Sequence, residues 1–293
     1  MSINKKILEE IVENTLNSLK KSGFIVESIS YPENKRSIDI IGLYRGVRLI
    51  IKASIDTSHV TDVEINDLKK VADAYEATPL IVSRKHGKKE LEPDVVYRRK
   101  GINVVKDEAL ETIFIKGEKP YVYDIQGTYV LRLNPEKFRQ RRLELGYSLG
   151  DTASLLGVSR KAVYEYEHGK RSVSIETAIR IAEIFGEDVF EPIDLLKRED
   201  IKPPEDEPQS TVEQAIYSIA IQKGYRFYRL LRTPIDYVLR SEKNSLSIIY
   251  KGEDTRKFGF KIREAERIAR TLNTKQLIVK DRKDAEELRE FID

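Results

Sequence analysis

The sequence predicts a multidomain protein of mixed α/β and all-α class, in which a central helical module is flanked by two related α/β units. Its 293 residues are enough for two or three domains with buried cores. Hydrophobic residues make up 40% and charged residues 34%, a balance typical of globular chains. The order α-β-β-β-α-β near each end, and a run of short amphipathic helices between them, carry the prediction.

The first α/β unit is predicted over residues 1–117. It opens with an amphipathic helix from about Ile3 to Ser22, which Gly23 ends. A second helix is predicted at about Asp62–Ala77, and Pro79 leads from it into a short strand. The β-rich runs are Phe24–Tyr31, Ser37–Tyr44, Val47–Ser54 and Leu80–Ser83.

Residues 211–293 are predicted to repeat the first unit. Asp39 matches Asp236, and Leu80–Val82 matches Leu277–Val279, in both cases 197 positions further along the chain. The two units are joined through residues 118–198, a hairpin plus the helical module, and through residues 199–210. These last residues hold three prolines and five carboxylates, which predicts a solvated linker.

The helical module contains two short helices joined by a tight turn. Helix Leu149–Leu156 is followed by Gly157, which permits a sharp turn, and Ser159 is a good N-cap for helix Arg160–His168. A first helix over the DNA backbone and a second whose early residues reach base edges constitute a helix-turn-helix. The local charge agrees: residues 137–171 carry eight Lys or Arg and four Asp or Glu.

Residues 135–186 resemble the lambda-repressor/Cro (XRE) family of four- or five-helix DNA-binding domains. The matching residues are Arg142, Ser148, Ala153, Leu156–Ser159, Glu167, Gly169, Ile181 and Ala182. The resemblance implies a structural ion pair between Arg142 and Glu167. It implies base contacts from Arg160, Lys161, Tyr164 and Glu165, and phosphate contacts from Ser148, Lys170 and Arg171. Leu149 departs from the family, which often has glutamine there to contact the backbone.

The α-β-β-β-α-β order resembles the restriction-endonuclease and Holliday-junction-resolvase superfamily. That chemistry uses a carboxylate on the second strand, then a second carboxylate and a lysine on the third, to hold Mg²⁺ and steer water. Asp39 and Lys52 fit this pattern, but Ile50 stands where the second carboxylate belongs. The flanking units are therefore predicted to be degenerate.

The second unit shows the same loss. Asp236 and Lys251 are predicted to occupy the equivalent positions, with Ile249 in place of the second carboxylate. Losing this residue twice argues against metal-dependent cleavage. With no cysteine and three scattered histidines, the sequence also predicts no metal site and no cofactor.

The leading hypothesis is a transcriptional regulator that binds double-stranded DNA at specific sequences. The chain as a whole resembles archaeal helix-turn-helix regulators, and we expect a homodimer that is not an enzyme. No apolar stretch is long enough to span a membrane and no signal peptide is evident, so we expect a cytoplasmic protein. Two alternatives stay open: a Mg²⁺-dependent nuclease or junction resolvase, and an adaptor of the transcription-coactivator type that binds protein partners.

Overall fold

A long mixed sheet organises the first two thirds of the chain in the computed structural model, which describes residues 3–252 and 256–292. A capping box between Thr61 and Glu64 starts helix α2 (Asp62–Ala74), and Gly23, at φ +89°, follows the end of helix α1 (Ile3–Lys21). The first elements are α1 (Ile3–Lys21), β1 (Ile25–Ser28), β2 (Ile40–Tyr44), β3 (Val47–Asp56), α2 (Asp62–Ala74), β4 (Thr78–His86), β5 (Lys89–Glu90), β6 (Val95–Arg99) and β7 (Ile102–Val105).

The sheet continues past these strands into a hairpin. Strands β8 (Val122–Ile125) and β9 (Thr128–Leu131) are joined by Gln126 and Gly127, both at positive φ as tight hairpin turns require. The strand order is β1-β2-β3-β4-β7-β6-β8-β9-β10, with β5 paired to β4 and β10 at Val173–Ser174. Strands β1 to β3 are antiparallel, β3 and β4 are parallel, and β8 is parallel to β6.

Four helices surround a separate apolar core between β9 and the chain's later part. They are α3 (Pro135–Glu144), α4 (Leu149–Leu156), α5 (Arg160–Glu167) and α6 (Ile175–Phe185). Phe138, Leu156, Val163 and Ile181 are fully buried in this core. Strand β10 pairs with β9, so the helical module is hydrogen-bonded to the long sheet.

The C-terminal part has its own four-stranded sheet. Its elements are α7 (Thr211–Gln222), β11 (Arg226–Arg229), β12 (Tyr237–Arg240), β13 (Ser245–Tyr250), α8 (Phe258–Leu272), β14 (Lys275–Val279) and α9 (Arg282–Glu287). The strand order is β11-β12-β13-β14, with β13 and β14 parallel and the other pairs antiparallel. The predicted mixed α/β class is thus confirmed.

The segment predicted to be a solvated linker is partly anchored to the folded units. The Asp206 side chain is buried, lies 2.5 Å from Lys70 Nζ and accepts from the Arg229 N–H at 2.8 Å. The prolines of this segment disfavour a helix, and the Asp206 carboxylate is available to these donors. In the part of the chain that the structure describes, no helix has the length and hydropathy to cross a bilayer.

Candidate nucleic-acid interface

The turn between α4 and α5 is set by three local features. Ser148 and Asp151 form a capping box: Ser148 Oγ accepts from the Asp151 N–H at 3.1 Å and Asp151 Oδ2 from the Ser148 N–H at 2.9 Å. Hydrogen bonds from the Ser148 hydroxyl and the Ser148 N–H to the Asp151 carboxylate lower its pKa. Gly157 takes the left-handed conformation at φ +67°, and Ser159 Oγ caps α5 by accepting from the Ala162 N–H at 3.1 Å. The two caps and the glycine conformation therefore determine where α4 begins and ends and where α5 begins.

Helix α5 has one buried face and one exposed face. Ala162, Val163 and Tyr166 are buried in the core of the module, where α5 packs mainly on α3 and α4. Arg160 and Lys161 are exposed, with 84% of the Lys161 side chain accessible. The cationic first turn of α5 therefore faces solvent, clear of the packing on both α/β units.

Arg142 and Glu167 join α3 to the end of α5. Arg142 Nε donates to Glu167 Oε1 at 2.5 Å and its Nη2 donates to Oε2 at 3.2 Å. Arg142 Nη1 also donates to the Tyr147 carbonyl at 2.7 Å. Both charged side chains are more than nine-tenths buried, so the fork is shielded from water and fixes the direction of α5.

The remaining residues predicted to contact bases form a cluster on the same exposed face. Glu165 lies 3.4 Å from Arg171 Nη1 and 3.9 Å from Lys161 Nζ, so its carboxylate stands between two cations. Tyr164, 46% exposed, stacks on His168 with the ring centroids 4.0 Å apart. The sequence reasoning missed His168, although its i, i+4 spacing from Tyr164 was a signal that the rings share a face.

The residues predicted to contact phosphates lie around this face. Lys170 and Arg171 are exposed in the loop after α5, and Gly169 in the same loop has φ +63°. Ser148 Oγ accepts a hydrogen bond from the Asp151 N–H as the cap of α4 and lies on the exposed side of the module. Leu149, at the place where the family often has glutamine, is half-buried against the module core.

The degenerate nuclease position of the first unit is filled by an ion network. Asp39 Oδ1 accepts from Arg36 Nε at 2.6 Å and Oδ2 from the Ala53 N–H at 2.7 Å. Lys52 Nζ lies 3.2 Å from Asp39 Oδ2 and 3.3 Å from Glu64 Oε1. Glu64, on α2, was not among the residues predicted from sequence. Its place is fixed by its role in the α2 capping box.

In the second unit the network uses a different lysine. Asp236 Oδ2 accepts from the Tyr250 N–H at 2.6 Å, and Lys261 Nζ, on α8, lies 2.6 Å from both carboxylate oxygens. Asp39 and Asp236 each bond the residue 14 positions ahead, so no slip separates the two units here. At this offset Ile249 stands at the counterpart of Lys52 and Lys261 at the counterpart of Glu64, so the prediction that Lys251 occupies the Lys52 position is wrong. The N–H of Lys251 donates to the Val279 carbonyl instead.

The donor set at these positions does not fit the Mg²⁺ that the nuclease fold implies. Mg²⁺ requires oxygen ligands around an open position, but the Lys52 ammonium stands between the Asp39 and Glu64 carboxylates. Ile50 is fully buried and offers no donor. Within residues 3–252 and 256–292, no group of three His, Cys, Asp or Glu side chains is placed to hold a metal ion.

Two known sequence families match parts of the chain. A family described as "PD-(D/E)XK superfamily domain" matches residues 8–120, and one described as "Helix-turn-helix" matches residues 138–191. Both resemblances drawn from the sequence are therefore confirmed for these regions. No solved structure matches the chain.

Relatives from archaea match most of the chain. A protein of Thermococcus gammatolerans is 32% identical over 282 residues, which covers 95% of this chain and 87% of the relative. One of Aeropyrum pernix is 33% identical, covering 78% and 71%, and one of Saccharolobus islandicus is 31% identical, covering 94% and 88%. Each is named a "Putative HTH-type transcriptional regulatory protein".

Proposed function

The chain belongs to the family of archaeal HTH-type transcriptional regulatory proteins that these relatives represent, and from this we propose that it regulates transcription by binding double-stranded DNA. The observation that carries the proposal is the exposed first turn of α5, with Arg160 and Lys161 directed away from the module core. A short helix that presents cations at its N-terminal end is the element that enters a major groove.

We assign base contacts to the exposed face of α5. Arg160 and Lys161 are donors suited to guanine O6 and N7, while Glu165 is an acceptor suited to the cytosine amino group. The Tyr164 ring, stacked on His168, lies beside them and supplies a flat apolar surface. The assignment rests on the position of these side chains along one face and on the family resemblance.

Phosphate contacts are assigned to Ser148, Lys170 and Arg171. Lys170 and Arg171 bring positive charge to the loop that follows the reading helix, and Ser148 offers a hydroxyl and a helix N-terminus. Residues 176–194, which include most of α6, carry one arginine and six carboxylates, so the positive charge of the module is concentrated in the residues up to Arg171. This distribution orients the module on a polyanion.

We propose that the functional unit is a homodimer. Each chain carries one helix-turn-helix, and repressors with this motif gain affinity from two half-sites about one helical turn apart.

A selection of bound sequences from random duplex DNA, performed with the full chain, tests the whole proposal. We expect enrichment of one motif with two-fold symmetry. Failure to enrich any motif, together with DNA-independent binding to the transcription machinery, would favour the adaptor alternative.

We propose that the PD-(D/E)XK unit does not cleave DNA. The support is the ion network in which Asp39 is bonded on both oxygens and faces the Lys52 ammonium. Incubation of the full chain with duplex and branched DNA in the presence of Mg²⁺ or Mn²⁺ tests this. We expect intact DNA. Metal-dependent cutting that is lost in Asp39→Ala would establish the nuclease alternative.

A further inference from the structure

The two α/β units share topology and hydrogen-bond register. In the first unit Ile40 pairs with Ile51, and in the second Tyr237 pairs with Ile248, 197 positions further along in each strand. An aspartate precedes the second strand of each unit: Asp39 precedes β2 and Asp236 precedes β12. Each side chain accepts from the backbone N–H 14 positions ahead. The two units therefore match in hydrogen-bond geometry as well as in sequence.

The units pack on each other in a reciprocal way. Helix α2 of the first unit packs on β11 and β12 of the second, and helix α8 of the second packs on β1 and β2 of the first. Since α2 and α8 are equivalent, as are β1–β2 and β11–β12, the contact maps onto itself when the units are exchanged. Self-complementary contact of this kind defines an isologous, two-fold interface.

Hydrogen bonds across the interface obey the same symmetry. Asp67 of α2 accepts from the Leu231 N–H at 3.1 Å, and Glu264 of α8 accepts from the Ser30 N–H at 2.5 Å. Asp67 and Glu264 are 197 positions apart. Their donors are also equivalent, since Leu231 lies two residues after the end of β11 and Ser30 lies two residues after the end of β1. Both carboxylates are about as buried as core residues, at 1% and 2% exposure.

An apolar core fills the space between the units. Ile41 and Leu68 of the first unit belong to the same buried cluster as Val238, Ile249 and Ile268 of the second. All five side chains are fully buried. Burial of this kind is typical of obligate interfaces, which resemble a domain core divided in two.

We propose that residues 211–293 are a second copy of the N-terminal fold that serves as its covalently attached partner. The α/β region of one chain is then a complete pseudo-dimer. The face through which two such units pair is occupied in cis, so a second chain cannot bind there. Two DNA-bound chains must therefore meet through a different surface.

Cleavage of the linker tests the proposal in the full chain. A site-specific protease sequence is inserted between Pro203 and Pro204, which leaves the Asp206 contacts in place. After cleavage, we expect the two fragments to co-elute in a 1:1 ratio, with native mass spectrometry showing both fragments in equal number whatever the oligomeric state of the chain. Fragments that separate at micromolar concentration would overturn the proposal.

Matched substitutions test the symmetry. We expect Asp67→Asn and Glu264→Gln each to raise the dissociation constant of the cleaved fragments roughly tenfold, because each removes a charge-assisted hydrogen bond. Glu266→Gln, two residues from Glu264 on the exposed face of α8, is the control and should leave the constant unchanged. Far-UV circular dichroism of the uncleaved variants verifies folding. Equal behaviour of all three variants would contradict the two-fold interface.

Discussion

Arg142 and Glu167 lie 25 positions apart in the sequence and form a two-point ion pair inside the helical module. Removing one member of a buried pair leaves the other charge uncompensated, which costs about 3–5 kcal/mol. We therefore expect Glu167→Ala to lower the free energy of unfolding by that amount, measured by urea denaturation. Glu183→Ala, at an exposed position of α6, should change little. Equal midpoints for the two variants would show that the pair does not stabilise the module.

Arg160 and Lys170 should affect DNA binding in different ways. Replacing a residue that contacts a base removes discrimination at one position, so Arg160→Ala should cost about 1–3 kcal/mol on the preferred sequence and relax base choice there. Lys170→Ala should weaken binding to all sequences alike and reduce the slope of affinity against salt by about one.

Fluorescence anisotropy on the selected duplex, a single-base variant and a scrambled duplex, each at several salt concentrations, separates these effects. Identical sequence and salt profiles for the two variants would show that the proposed roles are not divided between base and phosphate.

Gly157 is required by the turn before α5. Its φ of +67° disfavours any side chain, and a Cβ there would lie 2.5 Å from Arg180 Nη1, which donates to the Leu156 carbonyl. We expect Gly157→Ala to destabilise the module by roughly 1–2 kcal/mol. Gly150, earlier in α4, lacks a positive φ, and a Cβ there has only an ordinary contact with Ser148.

The matched substitution Gly150→Ala should stabilise the helix by roughly 0.5–1 kcal/mol. Thermal unfolding of both variants provides the comparison. Destabilisation of similar size at both sites would mean that the left-handed turn carries no particular cost.

Asp56 should make the stability of the first unit depend on pH. Burial tends to raise the pKa of this carboxyl, but hydrogen bonds from the Gly87 N–H and from the Ser58 hydroxyl and N–H outweigh it and lower the pKa to about 2. Since the pKa in the folded state lies below the unfolded value, the stabilisation is complete above about pH 4 and is lost as the pH falls towards 2.

Accordingly, Asp56→Asn should reduce stability at pH 7 by roughly 1–3 kcal/mol, and the gap from the unmodified protein should close as the pH approaches 2. Urea unfolding at a series of pH values measures this. Asp94→Asn, at an exposed carboxylate of the same unit, is the control. A gap that does not vary with pH would show that the charged form of Asp56 is not what stabilises the turn.

The helix-turn-helix could be predicted from sequence because its determinants are local. Ser148, Gly157 and Ser159 each act on the backbone within three residues, so their spacing alone defines where helices begin and end. The same holds for the hairpin turn at Gly127. The order of strands and helices in both α/β units was accessible for a similar reason, since each element has its own hydrophobic period.

Contacts between distant segments could not be predicted in the same way. The sequence predicts Lys251 from its position along the chain, whereas the cation beside Asp236 is Lys261, which reaches it from the following helix. The sequence places Asp206 in a solvated linker, because its partner Lys70 lies 136 positions earlier and nothing local indicates their contact. In both cases composition shows that a charge is present but not which opposite charge the fold brings to it.

The pairing of β6 with β8 and of β9 with β10 has a mechanical consequence. A hinge between the N-terminal unit and the helical module would have to separate strands of one continuous sheet and so break backbone hydrogen bonds. In the proposed homodimer, the separation of half-sites that the two modules accept would therefore be set by the shape of this frame and not by the length of a flexible linker.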